Sequence, residues 1–240
     1  MKLLRIPLFL ALVSPVLLGL SGLGVRLSWW PYAFGFTLLR WVVGIGCVAA
    51  VLGLVGLVLP KGRSTALVSL LLSIVIGAAA AWTPWQMAQQ AKSLPRIHDI
   101  STDLDNPPAF VAVLPLRAHA ANPATYGGAE IASAQRAAYP DIQPLILAAP
   151  RADVFAAALA EAKKMDWEIV AQDPQQGRIE ATATTFWFGF KDDIVVRIVD
   201  ANGKTRIDVR SVSRVGKSDI GKNAARIRSY VRALAQAIKQ

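Results

Sequence analysis

Acidic residues are absent from the first 97 positions of this 240-residue chain, and this absence divides the sequence into two unlike parts. Those 97 positions carry eight lysines and arginines, whereas the remaining 143 carry all 16 acidic residues and 18 basic ones. Most of the net charge of +10 therefore flanks apolar sequence instead of forming the basic face of a nucleic-acid-binding domain. This pattern is typical of membrane spans and predicts no nucleic-acid partner.

Cysteine and histidine are also scarce. Cys47 is the only cysteine and lies in an apolar run, which excludes an intrachain disulfide and a cysteine-based metal site. His98 and His119 are the only histidines, and no nucleophile motif such as G-x-S-x-G occurs. The sequence therefore predicts no cofactor and no metal, and an enzyme is the less favoured class.

Three apolar runs are free of charge over lengths that can cross a bilayer. At 1.5 Å per residue, each run of about 20 residues is about 30 Å long, which matches the hydrocarbon core. The runs predict transmembrane helices over about residues 6–25, 38–59 and 64–82. The expected organisation is a membrane domain over 1–84, a linker over 85–97 and a soluble domain over 98–240.

The connections between the runs suggest an orientation. Lys2 and Arg5 precede the first run, and Lys61 and Arg63 separate the second from the third, so the positive-inside bias favours a cytoplasmic N-terminus. The predicted location is the cell inner membrane, with several spans and with the C-terminal domain on the periplasmic or outer side. An alternative reads residues 1–25 as a cleaved signal peptide, although the apolar run exceeds 7–15 residues and no A-x-A site follows.

The C-terminal part predicts an α+β domain. Residues 84–150 are rich in proline and indicate an extended, loop-rich stretch that can wrap the domain, with a short strand near 142–147. A helix is predicted from Pro150, then four strands joined by short turns, including Asn202-Gly203, and a last helix with Ser218 or Asp219 as N-cap. The expected fold is two-layered, with two helices on the apolar face of a four- or five-stranded antiparallel sheet.

Seven motifs lie in the C-terminal part of the chain: HDISTD at 98–103, PPAF at 107–110, AYPDI at 138–142, WEIV at 167–170, GFKDD at 189–193, DVRSVSR at 208–214 and GKSDIGKN at 216–223. Through these motifs, residues 97–240, about 60% of the chain, resemble the domain of unknown function 1499 family. The resemblance implies a membrane-associated protein of bacterial or plastid type and no assigned activity. The spans lie outside it.

The last motif lies between a predicted strand and a predicted helix, as a phosphate-binding P-loop does. Asn223 stands where a P-loop has the Ser or Thr that holds magnesium, so the motif favours a glycine turn or a simpler anion site at the start of the helix. The residues proposed to contact an anion are Arg210, Ser211, Ser213, Arg214, Gly216, Ser218, Asp219 and Asn223.

The charges of the C-terminal part leave two interpretations open. Residues 204–240 carry a net +8, and residues 98–203 a net −6. Internal pairing would set Glu180 and Asp193 against arginines of neighbouring strands. Alternatively, the basic segment forms a surface for anionic lipid headgroups or an envelope polymer.

Two other segments carry candidate chemistry. His98, Asp99 and Asp103 are the weak candidates for a catalytic site, and Asp103 with Asp105 resembles an incomplete calcium loop. The aromatic stretch over 185–190 favours core packing, with an apolar ligand mouth or bilayer contact as alternatives.

These observations favour a non-catalytic binding or scaffolding protein of the membrane. Its predicted partners are the lipid bilayer and an anionic lipid or envelope protein. The alternatives are an envelope hydrolase that uses His98 with a nearby aspartate, and a structural protein that assembles through its spans.

Overall fold

The computed structural model of the protein describes residues 5–59 and 63–239, which fall into two units. The first unit holds the described residues up to 92 together with the four-residue segment Phe186–Gly189. The second holds Ser93–Thr185 and the described residues from Phe190 onward. Pro60, Lys61 and Gly62, which belong to the predicted basic connection, lie outside the described residues.

Three helices of the first unit are long and apolar enough to cross a membrane, as the sequence predicts. They are α1 (Ile6–Arg26), α2 (Tyr32–Val58) and α3 (Arg63–Ser93). The chain is therefore a membrane protein. The α3 helix runs through Pro84 and continues about 16 Å beyond residue 82, so most of the expected linker over 85–97 is helical.

Glycines in these helices occupy two kinds of position: some lie where two helices approach closely, and others lie in open space. Gly46 and Gly77 approach so closely that a Cβ added to either would lie 2.5 Å from the carbonyl oxygen of the other. A Cβ on Gly19 or Gly44 would meet no atom within 4 Å. Some glycines are therefore required for helix contact, whereas others occupy open positions.

The second unit is built on a six-stranded antiparallel sheet, which confirms the α+β class. The sheet order is β1-β6-β5-β4-β3, and β2 pairs with the other end of β6. The β5–β6 turn has positive φ angles at Asn202 and Gly203, as an Asn-Gly hairpin requires. The strands are β1 (Asp99–Ser101), β2 (Leu145–Leu147), β3 (Glu168–Asp173), β4 (Arg178–Thr184), β5 (Lys191–Ala201) and β6 (Lys204–Ser213).

Three helices accompany the sheet: α4 (Gly128–Ala138), α5 (Arg151–Lys164) and α6 (Lys222–Ala237). The α5 and α6 helices confirm the sequence predictions, whereas α4 and β1 lie in the stretch that the proline content indicates to be loop-rich. One sheet face forms the main core with α5 and α6, where Ile194, Val209 and Tyr230 are fully buried. The other face carries most of the charged strand residues and forms a small second core with Phe110 and Val113.

Candidate functional site

The charged face of the sheet is covered by the irregular segment over residues 103–126. Arg117 of this segment donates to Asp193 on β5 at 2.6 Å. Arg214 donates to the same carboxylate at 2.7 and 2.8 Å, and Thr182 Oγ1 donates at 2.7 Å. Burial alone would raise the pKa of Asp193, but the hydrogen bonds from Arg214, Thr182 and Arg117 hold it below its usual range. Asp193 is therefore an ionised structural anchor.

Asp99 and Arg210 form a second buried pair. The guanidinium donates through Nε at 2.9 Å and through NH2 at 2.7 Å, a bidentate contact between side chains that are 6% and 3% exposed. Phe110 and Tyr126 flank this guanidinium with their rings at 5.1 and 5.4 Å. Burial raises the pKa of Tyr126 to about 12, and the nearby Asp99 charge adds to the effect. Both oxygens of Asp99 are thus engaged.

Asp103 lies in a third cluster with two arginines. Arg197 and Arg206 each bind both Asp103 and Asp208, at 2.8–3.0 Å. Partial burial opposes ionisation of Asp103, but the backbone N–H groups of Asn106 and Asp105 and the two arginines lower its pKa overall. Its contacts with those N–H groups form a turn.

Glu180 fastens the same covering segment in another way. Its carboxylate is fully buried and accepts the backbone N–H groups of Val111 and Val113 at 3.0–3.1 Å. Arg178 completes its charge pairing at 3.1 Å. Asp193 thus pairs with Arg214, which directly follows the neighbouring strand β6, as the internal-pairing interpretation expects, whereas Glu180 pairs with Arg178 on its own strand.

The predicted anion-contacting residues do not converge on one site, because β6 alternates its side chains between the two faces of the sheet. Arg210 and Arg214 lie in the charged clusters under the covering segment. Ser211 and Ser213 point to the helix side, where their hydroxyls contact the Asn223 side chain at 2.7 and 3.0 Å. Four of the eight, Arg210, Ser211, Ser213 and Asn223, are buried, and the other four are partly exposed.

Asn223 belongs to a small buried network at the start of α6. Its amide also donates to the His98 carbonyl oxygen at 3.0 Å, and its side-chain oxygen accepts from Arg226. Arg226 in turn pairs with Asp192 at 2.6 Å. In this position Asn223 joins β6, α6 and the chain before β1, a role unlike that of a P-loop hydroxyl.

The loop before α6 is held by Asp219. Its carboxylate accepts the N–H groups of Gly221 at 3.0 Å and Asn223 at 2.6 Å, although the N-cap position itself is Gly221 in a left-handed conformation. Burial raises the pKa of Asp219. An anion at the start of α6 would have to bind these same backbone N–H groups. Because Asp219 already accepts them, a ligand would have to contact other donors of this loop.

Three cations remain exposed around this loop. Ser218 Oγ donates to the carbonyl of Pro95 at 3.4 Å, and Asp219 N donates to the carbonyl of Ile97 at 3.3 Å, so Arg96 lies beside the loop. Arg96, Lys217 and Lys222 are exposed. Over residues 5–59 and 63–239, none of the three has a carboxylate partner at ion-pair distance. Gly216, with φ of +92°, makes the turn that presents Lys217.

The carboxylates among the weak catalytic candidates are not open to a substrate. Asp99 is buried against Arg210, and Asp103 is shared by Arg197 and Arg206. At His98, the backbone carbonyl oxygen accepts hydrogen bonds from the Ser213 N–H and the Asn223 amide. Among the described residues, no group of three His, Cys, Asp or Glu side chains is arranged to hold a metal ion.

Sequence reasoning missed Arg117 and Asp192 as parts of these networks. Arg117 follows a proline-rich stretch with no periodic pattern, in a short 3-10 helix at Pro115–Arg117. Its partner Asp193 is 76 residues away in the chain. A local pattern cannot signal a contact of that separation.

The family comparison concerns the part of the chain that contains the sheet and its charged clusters. The model of the family described as Protein of unknown function (DUF1499) matches residues 99–234. The chain belongs to this family. The match begins at β1 and ends within α6, so it covers all six strands, the whole of α5 and most of α6. No curated protein matches the chain.

Proposed function

We propose that this protein of the DUF1499 family is a non-catalytic binding protein of the cell inner membrane. Its C-terminal domain faces the periplasmic or outer side and holds anionic lipid headgroups. The observation that carries the proposal is the exposed cation triad of Arg96, Lys217 and Lys222, which has no carboxylate partner in the described chain. By contrast, the charges on the covered face of the sheet are paired internally.

The contrast between arginines and lysines supports this proposal. Of the ten basic residues over 204–240, five arginines form ion pairs with aspartates: Arg206, Arg210, Arg214, Arg226 and Arg228. Arginine suits buried bidentate pairing, whereas lysine keeps a compact, hydrated charge at the surface. The net positive charge that remains unpaired over 204–240 therefore lies on side chains at the domain surface, where they can contact an anionic surface.

The position of the triad along the chain favours a lipid ligand over a soluble one. Arg96 follows the end of α3 by three residues, and the loop of Lys217 is hydrogen-bonded to both of its neighbours. Near an anionic bilayer surface, each Lys or Arg contributes about 1 kcal/mol of attraction. Three such residues would favour anionic over neutral headgroups by about 3 kcal/mol, on the order of a hundredfold.

The same geometry weakens the hydrolase alternative. A general acid or base has to reach the substrate, but Asp99 is buried against Arg210, and Asp103 is shared by two arginines. A hydrolase that used His98 would need a carboxylate from elsewhere.

The headgroup proposal is tested on the full-length protein purified in mild detergent. Mass spectrometry of the co-purifying lipids should find anionic lipid on the wild type. The combined variant R96Q/K217Q/K222Q should lose it by at least about tenfold. The control R232Q/K204Q/K239Q removes the same charge from three other exposed positions and should keep the lipid.

The other outcomes assign the function elsewhere. Equal loss in both variants would reduce the triad to part of a general charge effect and would overturn the proposal. A partner protein retained by both variants and by a chain ending at residue 93 would favour assembly through the spans. If H98A abolished the function of the protein in the cell and R96Q/K217Q/K222Q did not, the hydrolase would be favoured.

The proposed orientation predicts the behaviour of C-terminal fusions. In a bacterial host, alkaline phosphatase fused to the C-terminus should be active, because it folds only outside the cytoplasm. A fluorescent protein that matures only in the cytoplasm should be dark in the same position. A fusion to the α1–α2 connection should behave alike, because α2 and α3 together return the chain to the same side. The opposite pattern would place the domain in the cytoplasm.

A further inference from the structure

The short loop between β4 and β5 belongs to the unit that the membrane helices form. Within that unit, Arg26 at the end of α1 donates to the carbonyl oxygen of Phe186 at 2.7 Å. The Phe188 ring packs edge-on against Phe36 near the start of α2, with centroids 5.3 Å apart. Phe188 is buried, so the core-packing expectation holds for this residue. It does not hold for Phe186, which is 86% exposed.

Trp187 reaches the furthest along α1. Its indole N–H lies 3.4 Å from Ser21 Oγ, five residues or about 7 Å before the end of the helix. The ring lies over Gly22, where an added Cβ would fall 2.7 Å from the Trp187 carbonyl oxygen. An indole that enters apolar surroundings needs a partner for its single donor. Ser21 supplies that partner about a turn and a half below the end of α1.

The surrounding residues have the composition of a membrane interface. The α1–α2 connection and the start of α2 expose the aromatic side chains of Trp29, Tyr32 and Phe34. Trp and Tyr concentrate at the boundary between headgroups and acyl chains, because one part of the ring is apolar and another is polar. Arg26 can extend its charge toward the headgroups from the same level.

The topology of the chain allows this arrangement in either orientation. The chain leaves α1 and α3 on the same side of the bilayer, because α2 crosses back and α3 crosses again. The loop and the α1–α2 connection therefore share one interface whichever side is cytoplasmic.

From these observations, we infer that Phe186–Gly189 is a membrane-interface anchor, with Phe186 inserted among the lipids at the headgroup–acyl boundary. Burial of a phenylalanine side chain contributes a favourable transfer term, and at 86% exposure Phe186 has nearly all of that surface left to give to lipid. The anchor relies on apolar contact and does not need anionic lipid. It is therefore separate from the cation triad.

A fluorescent probe at position 186 tests the insertion. In the full chain with C47S, F186C is labelled with an environment-sensitive fluorophore and reconstituted into vesicles of phosphatidylcholine alone. The label should emit at shorter wavelength, lose most of its intensity to lipids with a spin label high on the acyl chain, and resist aqueous iodide. The control Q175C, in the exposed β3–β4 turn, should respond in the opposite way to both quenchers. Equal quenching by iodide at the two positions would overturn the inference.

A second variant tests whether α1 positions the loop. In G22L, the new side chain would occupy the place of the Trp187 ring, so the 186 label should become accessible to iodide. In G19L, the new side chain meets open space, so the label should remain shielded. If the label stayed shielded in G22L as well, docking of Trp187 on α1 would not be what holds the loop at the interface.

Discussion

Replacement of Asp193 by asparagine is expected to lower the free energy of unfolding by about 3–5 kcal/mol. The substitution removes the negative charge that Arg117 and Arg214 share, and Arg117 is only 3% exposed. Removing one partner of a buried pair leaves an uncompensated charge, which costs far more than the pair contributes in net terms. The covering segment over 103–126 should loosen first, because Arg117 is one of its fastenings to the sheet.

The measurement is chemical unfolding of the full-length protein in detergent, followed by a probe of the C-terminal domain. D105N is the matched control, because Asp105 pairs with Arg136 at 2.8 Å but both side chains are largely exposed. An exposed pair contributes little, so D105N should stay close to the wild type. If D193N and D105N had equal effects, Asp193 would not be an anchor of the fold.

The pH dependence follows from the lowered pKa of Asp193. A carboxylate whose pKa is lower in the folded than in the unfolded state stabilises the fold above its unfolded pKa, about 3.9 for aspartate. That stabilisation is lost as the pH falls through the lower, folded value. The deficit of D193N relative to the wild type should therefore be full at neutral pH and shrink below about pH 4. A deficit that did not change down to pH 2 would contradict the ionised state of Asp193.

Replacement of Gly46 by leucine is expected to give the largest effect in the membrane helices. A Cβ at this position would lie 2.5 Å from the Gly77 carbonyl oxygen of α3, and 3.2 Å from the Ala81 Cβ. Neither neighbour is a flexible side chain that can move away, so α2 and α3 must separate. Overpacking of this kind costs about 1–3 kcal/mol, and the loss of helix contact adds to it.

G44L is the control, because a Cβ at Gly44 meets nothing within 4 Å. Both variants gain the same side chain and the same hydropathy, so both should still enter the membrane. Titration with a denaturing detergent in mixed micelles should unfold G46L at a lower concentration than the wild type, with G44L unchanged. Similar midpoints for G46L and G44L would mean that the close approach of the two glycines does not stabilise the packing.

Local sequence predicts those elements for which the solvent or the residue pattern permits only one kind of secondary structure. Lipid offers no hydrogen bonds to the backbone, so charge-free runs of about 20 residues become helices, as α1, α2 and α3 show. Alternation of apolar and polar residues predicts β4, β5 and β6, and the Asn202-Gly203 turn fixes the pairing of β5 with β6.

Elements that depend on distant residues were not predicted. The β1 strand has three residues and exists because β6 pairs with it, from Asp99↔Val212 to Ser101↔Arg210. The α4 helix buries Gln135, whose amide bonds to the Ser101 backbone 34 residues earlier. In the candidate site, alternation along β4, β5 and β6 indicated which charges share a face. It could not indicate that a proline-rich segment would seal that face, since the partners of Glu180 are backbone groups 67 and 69 residues away.

The central place of β6 has a consequence for biogenesis. This strand lies between β5 and both short strands, and it supplies the partner of Asp99 over a separation of 111 residues. Contacts of such separation close late and slow the folding of a domain. The domain therefore cannot complete its sheet until β6 (Lys204–Ser213) has been synthesised, and the earlier segments have to stay unaggregated, with their partners missing, until that moment.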